Sequence, residues 1–250
     1  MKPTASLKAA FNAIGRATSS QFHPSMLALL LVPWLVSIVF WGVVLFFAWS
    51  PVSLAIGDFV FGDGTGWLYS ILKRWGFGDA KTYVSGAMTA FVFIPLMFAT
   101  AMMIVTIFAM PAVIRHLSAG AYRDVARQGK FSVLPSVWNA LSALLIFIPG
   151  YLLTIPLWFV PVVGLLVPLF WWAWLNSRVM RFDSLVEHAT EDERSRISKN
   201  YAKQYWLVAG VIGLLNYIPP LFLLTPVLSA LAFGHFSLTA LRVDRNLPNA

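Results

Sequence analysis

Asp, Glu, Lys and Arg are absent from four long stretches of the chain: Pro24–Gly57, Thr82–Ile114, Phe131–Ser177 and Gln204–Leu241. Each exceeds the roughly 20 apolar residues that carry a helix across a bilayer. The first two read as single apolar segments. The last two are interrupted at Ile155-Pro156 and Ile218-Pro219, and leave their apolar runs at Arg178-Val179 and Arg242-Val243. Paired, proline-broken apolar segments point to a membrane protein whose working site lies where helices stop part-way.

The pattern predicts the following elements. Leu7, Ala10, Phe11 and Ile14 share one helical face, with Lys8 and Arg16 off it, so 4–18 is expected as an amphipathic helix. It lies either on the membrane interface or against the protein itself. A first transmembrane helix is expected over 26–49, with Pro33 tolerated inside it. A glycine-bearing loop follows over 50–81, with a short helix from Trp67 to Trp75. A second transmembrane helix covers 88–116. Hairpin one is expected over 132–187 and hairpin two over 190–243, hinged at Pro156 and Pro161 and at Pro219 and Pro220. Thr190 and Glu193 form the signature of a capping box that starts the second hairpin.

Composition strengthens this reading: 59% of the residues are hydrophobic and 11% are charged, against roughly 25% charged in soluble domains. The longest polar connection, about 178–203, is too short to fold alone, so 1–250 is expected as one membrane domain. The first apolar run is too long for a signal-peptide core and lacks a small-residue cleavage site. With no cysteine, disulfides and thiolate chemistry are excluded. The net charge of +8 is not read as nucleic-acid binding, because the basic residues flank apolar segments. Lys73, Arg74 and Lys81 alone fall in the 50–81 loop, offset by Asp58, Asp63 and Asp79. The remaining Lys and Arg fall on one side if each hairpin goes in and returns. Both termini are then cytoplasmic and the 50–81 loop periplasmic.

The limb 204–218 rises about 22 Å as a helix, short of the roughly 30 Å hydrocarbon core. Hairpin two is therefore expected to penetrate partly. The limb 132–153 is long enough for hairpin one to cross fully or partly. The two breaks and the two Arg-Val exits are almost equally spaced, which suggests a weak internal repeat.

Few groups carry chemistry at membrane depth. Asn176, Asn216, Thr225, Ser229 and His235 either bind helices together or line a path. Asn216 abuts Pro219-Pro220 and is the one expected to be functional or turn-forming; His235 is expected as a core histidine. Arg178 and Arg181 lie where a helix leaves the apolar region, as a basic vestibule or as headgroup contacts. Neither Asp183 nor Glu187 is spaced to pair with them along a helix. The run Gly62-Asp63-Gly64-Thr65-Gly66 lacks the lysine and strand–helix context of a phosphate loop and reads as a turn. No metal-ligand spacing and no catalytic set appears, so no metal, cofactor or catalytic residue is expected.

Pro161-Val162-Val163-Gly164 through Phe170-Trp171-Trp172-Ala173-Trp174-Leu175-Asn176, then Arg181-Phe182-Asp183, resembles the CysZ-type sulfate permeases and the wider etoposide-induced protein 2.4 family. So does Asn216-Tyr217-Ile218-Pro219-Pro220, followed by Pro226 and Ala230. The resemblance implies an all-α inner-membrane protein with two long transmembrane helices, two partly penetrating hairpins, homo-oligomers and sulfate entry. It also aligns a sulfate-binding Gly-Leu-Arg-Arg element with Ser25, Met26, Leu27 and Ala28, where both arginines are apolar; His23 is the nearest titratable group.

The expected function is thus an inner-membrane permease or channel for a small, sulfate-like anion. His23, Pro24, Ser25, Asn176, Arg178, Arg181 and Asn216 are the candidate substrate contacts. With no nucleotide-binding element, flux is passive or ion-coupled. A non-transporting membrane scaffold is the alternative reading, and an intramembrane enzyme the weakest. The lipid bilayer and a second copy of the chain are the expected partners.

Overall fold

The structure, a computed structural model, describes residues 7–62, 67–76, 79–129 and 133–247. Helix α1 is Leu7–Gln21, α2 Pro24–Phe61, α3 Trp67–Arg74, α4 Ala80–Ala119 and α5 Val133–Leu153. Then come α6 Val163–Asp183, α7 Glu191–Asn200, α8 Ala202–Leu215 and α9 Thr225–Asp244. Short 3₁₀ turns over Ile155–Phe159 and Leu221–Leu223 join α5 to α6 and α8 to α9. No strand occurs among the described residues. Helices α2, α5 and α9, with α4 from Lys81, are long and apolar enough to cross a membrane; α8, at 14 residues, is not.

The region expected as a loop over 50–81 is largely helical. Helix α2 continues through Pro51 to Phe61, and α4 begins at Ala80 rather than near Met88. Pro51 removes one backbone hydrogen bond from α2 without ending the helix. The expected turn over Gly62–Gly66 falls mostly outside the described residues, as do Lys130 to Ser132, where hairpin one was expected to start.

The packing divides the chain into two compact units: residues 31–104, and residues 1–30 with 105–250. In the first, α2 and α4 run antiparallel. Ser37 donates to the Met97 carbonyl at 2.6 Å and the Trp41 indole N–H to Thr100 Oγ1 at 3.0 Å. Trp34 meets Phe98 edge-on at 4.9 Å. At the far end Lys81 Nζ bonds Asp58 at 2.7 Å and caps the Gly62 carbonyl at 3.2 Å, which closes the C-terminus of the extended α2. Only 17% of the most apolar window of each helix is buried in protein. The remaining apolar surface needs lipid to cover it.

The second unit is organised around α9, buried over nearly its whole length from Thr225 to Arg242. Helix α1 packs extensively along it, with α6, α7 and α8 around it. The buried face of α1 is Ala10, Ala13, Ala17 and Gln21, whereas Leu7 and Phe11 of the expected apolar face are exposed. Small residues win that face because they let two helix backbones approach closely. Where α9 needs polar partners it has them. Ser237 Oγ bonds Ser184 Oγ at 2.6 Å and the Tyr205 hydroxyl at 2.8 Å. His235 lies between Ser20 Oγ at 3.2 Å and the Tyr122 hydroxyl at 3.1 Å.

The tail of α9 is clamped by charge. Arg242, almost fully buried, pairs with Asp124 and donates to the Ala121 carbonyl at 2.8 Å. The hydrogen bonds from Arg242 hold the Asp124 carboxyl below the usual carboxylate range. Arg245 grips Glu193 through Nε at 2.8 Å and a second nitrogen at 2.9 Å, and reaches the Ala126 and His188 carbonyls at 2.8 and 2.7 Å. Glu193 also completes the capping box with Thr190 that starts α7. Beside the clamp, residues 128 and 129 pair with the backbone of 187 and 188. A Cβ on Gly129 would sit 2.1 Å from the Val186 carbonyl oxygen, so only glycine fits.

Candidate functional site

Arg178 and Arg181 stand three residues apart on α6, on one face of the helix. Arg194 comes from the second turn of α7, whose start is fixed by the capping box. Together with Asn139, Phe182, Glu191, Ser195 and Ser198 they line one cavity of about 390 Å³. Arg178 is steadied by Ser142 Oγ at 3.3 Å and lies 5.5 Å over the Trp174 ring. Arg194 lies 4.4 Å over the Phe182 ring. Asn139 Nδ2 donates to the Arg178 carbonyl at 3.4 Å, tying α5 to the cavity wall.

Their charge is not spent on partners. Among the described residues none of these three guanidiniums makes an ion pair, whereas Arg196, Arg242 and Arg245 each hold a carboxylate. Aromatic faces orient Arg178 and Arg194 but leave the fork of donors available. With Glu191 as the one acid in the wall, the cavity carries a net charge of about +2. Hydroxyls of Ser195 and Ser198 add neutral donors. This is the inventory that planar, bidentate recognition of a tetrahedral oxyanion uses.

The other sequence-derived candidates lie elsewhere. Asn176 Nδ2 donates to Ser229 Oγ at 2.7 Å, joining α6 to α9. Asn216 Oδ1 accepts from Thr225 at 2.8 Å, closing the turn between α8 and α9, and its Nδ2 is buried without a partner. Asn216 also lines a separate aromatic-walled cavity of about 270 Å³ with Tyr151, Trp172 and Tyr217. Pro156 opens the 3₁₀ turn after α5, Pro161 precedes α6, and the Pro219-Pro220 bond is cis in the second turn. His23, Pro24 and Ser25 are exposed at the α1–α2 junction. There the first amides of α2 already have acceptors. Ser25 N–H donates to His23 Nδ1 at 3.3 Å, and Met26 and Leu27 N–H to the His23 carbonyl at 2.8 and 3.0 Å. The His23 ring stands 4.6 Å from that of His116.

A family model described as sulfate transporter CysZ/etoposide-induced protein 2.4 matches residues 13–226. The chain belongs to this family. It is a multi-pass membrane protein of the CysZ/etoposide-induced kind, and the arginine cavity falls wholly within the matched region. No curated protein and no solved structure matches the chain.

Sequence reasoning reached Arg178 and Arg181 from their place at the end of an apolar run. It missed Asn139, Arg194, Ser195 and Ser198, which come from other helices. The available signal was the Arg194–Ser198 spacing of four, one face of a helix whose capping box was already legible.

Proposed function

We propose that this protein is a permease or channel for a small oxyanion of the sulfate class, with the Arg178–Arg181–Arg194 cavity as a vestibule of its path. The observation that carries the reading is the sorting of the arginines: those of the α9 clamp are neutralised, and those of the cavity are left to attract an anion. Membership of a family described as a sulfate transporter supports the same ligand class. At about 390 Å³ the cavity exceeds one desolvated tetrahedral anion, so it suits a partly hydrated ion. Such a site raises local anion concentration rather than holding the ion tightly. The excess of Lys and Arg outside the 50–81 region supports an inner-membrane placement with both termini and the vestibule on the cytoplasmic side. Asn216, with a stranded amide N–H beside a second cavity, is the proposed next contact toward the bilayer midplane. Hairpins that stop part-way and a homo-oligomeric pore complete the reading.

The test is radiolabelled sulfate flux into liposomes carrying purified protein. Flux well above empty liposomes is expected, with a steep fall as ionic strength rises. Arg181→Ala combined with Arg194→Ala should lower the flux at least tenfold while leaving the melting temperature unchanged. Flux identical in wild type and the double variant would remove the vestibule. No flux of sulfate, sulfite, thiosulfate or chloride, with a partner co-purifying stoichiometrically, would favour a scaffold instead.

A further inference from the structure

On the opposite side of α6 from the vestibule chemistry lies a cavity with a different character. The last third of α4, α5 and the end of α6 enclose about 670 Å³, within the size range of small-molecule and cofactor sites. Its walls are apolar, with Ile107, Met110, Ile114, Val137 and Val179 among them. Along α4 the lining runs from Thr106 to Arg115, a length of roughly 14 Å. Charge is confined to one end, where Arg115, Asp183 and Glu187 line the rim.

Asp183 carries the decisive detail. One of its carboxylate oxygens is buried with no hydrogen-bond partner, while Ser136 bonds the side chain. Glu187 lies one turn on from Asp183, facing the same cavity, and its contact with Arg127 is stretched to 4.0 Å. A buried carboxylate oxygen without a donor is costly, and two acids beside an apolar chamber call for a cation that brings its own apolar body. Arg115 adds the complementary feature. Its Nε is occupied by the Pro111 carbonyl at 3.3 Å, which leaves the outer nitrogens of the fork for a phosphate.

We infer that this cavity is a specific site for a phospholipid with a primary-ammonium headgroup, of the phosphatidylethanolamine type. One acyl chain fills the space between α4, α5 and α6, Arg115 holds the phosphate, and the ammonium donates to Asp183 and Glu187. The chemistry discriminates among lipids. An ammonium with N–H groups satisfies the stranded Asp183 oxygen, whereas a trimethylammonium has no donor to give. A glycerol headgroup brings no cation to offset the two acids. The site is independent of the anion vestibule, since the two cavities share no lining residue.

The experiment uses full-length protein in mild detergent, challenged with equal amounts of phosphatidylethanolamine, its N-methyl and N,N-dimethyl derivatives, phosphatidylcholine and phosphatidylglycerol. Bound lipid is counted by native mass spectrometry, and the melting temperature is followed in parallel. Phosphatidylethanolamine should be retained about tenfold over phosphatidylcholine, the difference expected for one charge-assisted hydrogen bond. The methylated lipids that keep an N–H should fall between. Asp183→Asn should abolish the preference, and Val137→Trp should block retention of every lipid. Should Asp183→Asn fail to fold, Glu187→Gln is expected to weaken the preference several-fold on its own. Equal retention of phosphatidylethanolamine and phosphatidylcholine by the wild-type protein, or a folded Asp183→Asn with wild-type preference, would overturn the assignment.

Discussion

Replacing Arg245 by methionine keeps the apolar stem and removes the guanidinium that joins the end of α9 to the turn before α7. Glu193 reports how much that guanidinium matters. Its carboxyl is held at about 2 against an ordinary 4.5, first by the hydrogen bonds from Arg245 and then, against a smaller cost of burial, by those of the Thr190 cap. A displacement of that size corresponds to about 3 kcal/mol of stability at neutral pH. Because the folded-state value is lowered, this stability is fully present above pH 4.5 and drains away as pH falls toward 2. Arg245→Met should therefore cost about 2 kcal/mol or more, since Thr190 keeps part of the effect. By the scaling for domains of this size the melting temperature drops by about 4 °C or more. The assay is thermal unfolding in a fixed detergent, run as a double-mutant cycle with Glu193→Gln. A coupling energy above about 1 kcal/mol is expected, together with a flatter acid limb between pH 4.5 and 2 in the Arg245→Met variant. Strictly additive single variants, or an unchanged acid limb, would refute the idea that this pair fastens the α9 tail.

Three further outcomes follow from the same unit. His188 is fully buried with both ring nitrogens unpartnered, and burial, then Arg127 and Arg245, push its pKa down to about 4. A lowered histidine favours the fold above pH 6.5 and withdraws that support as pH falls to 4. Wild-type melting should thus decline across that window and His188→Phe should not, as followed by circular dichroism. Gly129→Ala places a Cβ 2.1 Å from a carbonyl oxygen, so folded yield measured by size-exclusion chromatography should collapse. Ser237→Ala strands the buried Tyr205 hydroxyl and takes one of two partners from Ser184, and should cost about 1–3 kcal/mol, with Ser237→Thr losing less; parallel melts distinguish the two.

The sequence made the long helices legible because charge is expensive in hydrocarbon, so the four charge-free stretches mark out α2, α4 and the two broken segments that hold α5 and α9. The ends of α2 and α4 were misjudged. Glycines and aspartates between 57 and 79 look like a loop, but Lys81 satisfies both Asp58 and the Gly62 carbonyl and so lets α2 run on. The central role of α9 was hidden because the helix is long and apolar enough to read as one that crosses a membrane. The difference lies in small and hydroxyl residues such as Ser229, Ala232, Gly234 and Ser237, which suit burial among helices. Half of the vestibule was visible, since Arg178 and Arg181 share one helix. Arg194 was not, because its distance from them in space depends on how α7 folds back.

The burial of α9 against α1 bears on how the chain is made. A ribosome delivers α1 before any other described helix and α9 after all of them, yet these two are each other's main partner. The alanine face of α1 must therefore wait through the synthesis of every intervening span. Until α9 arrives, Tyr122, Ser184 and Tyr205 have hydroxyls that face no Thr239 or Ser237. A product that stops short of residue 225 is not a trimmed protein but one without its centre.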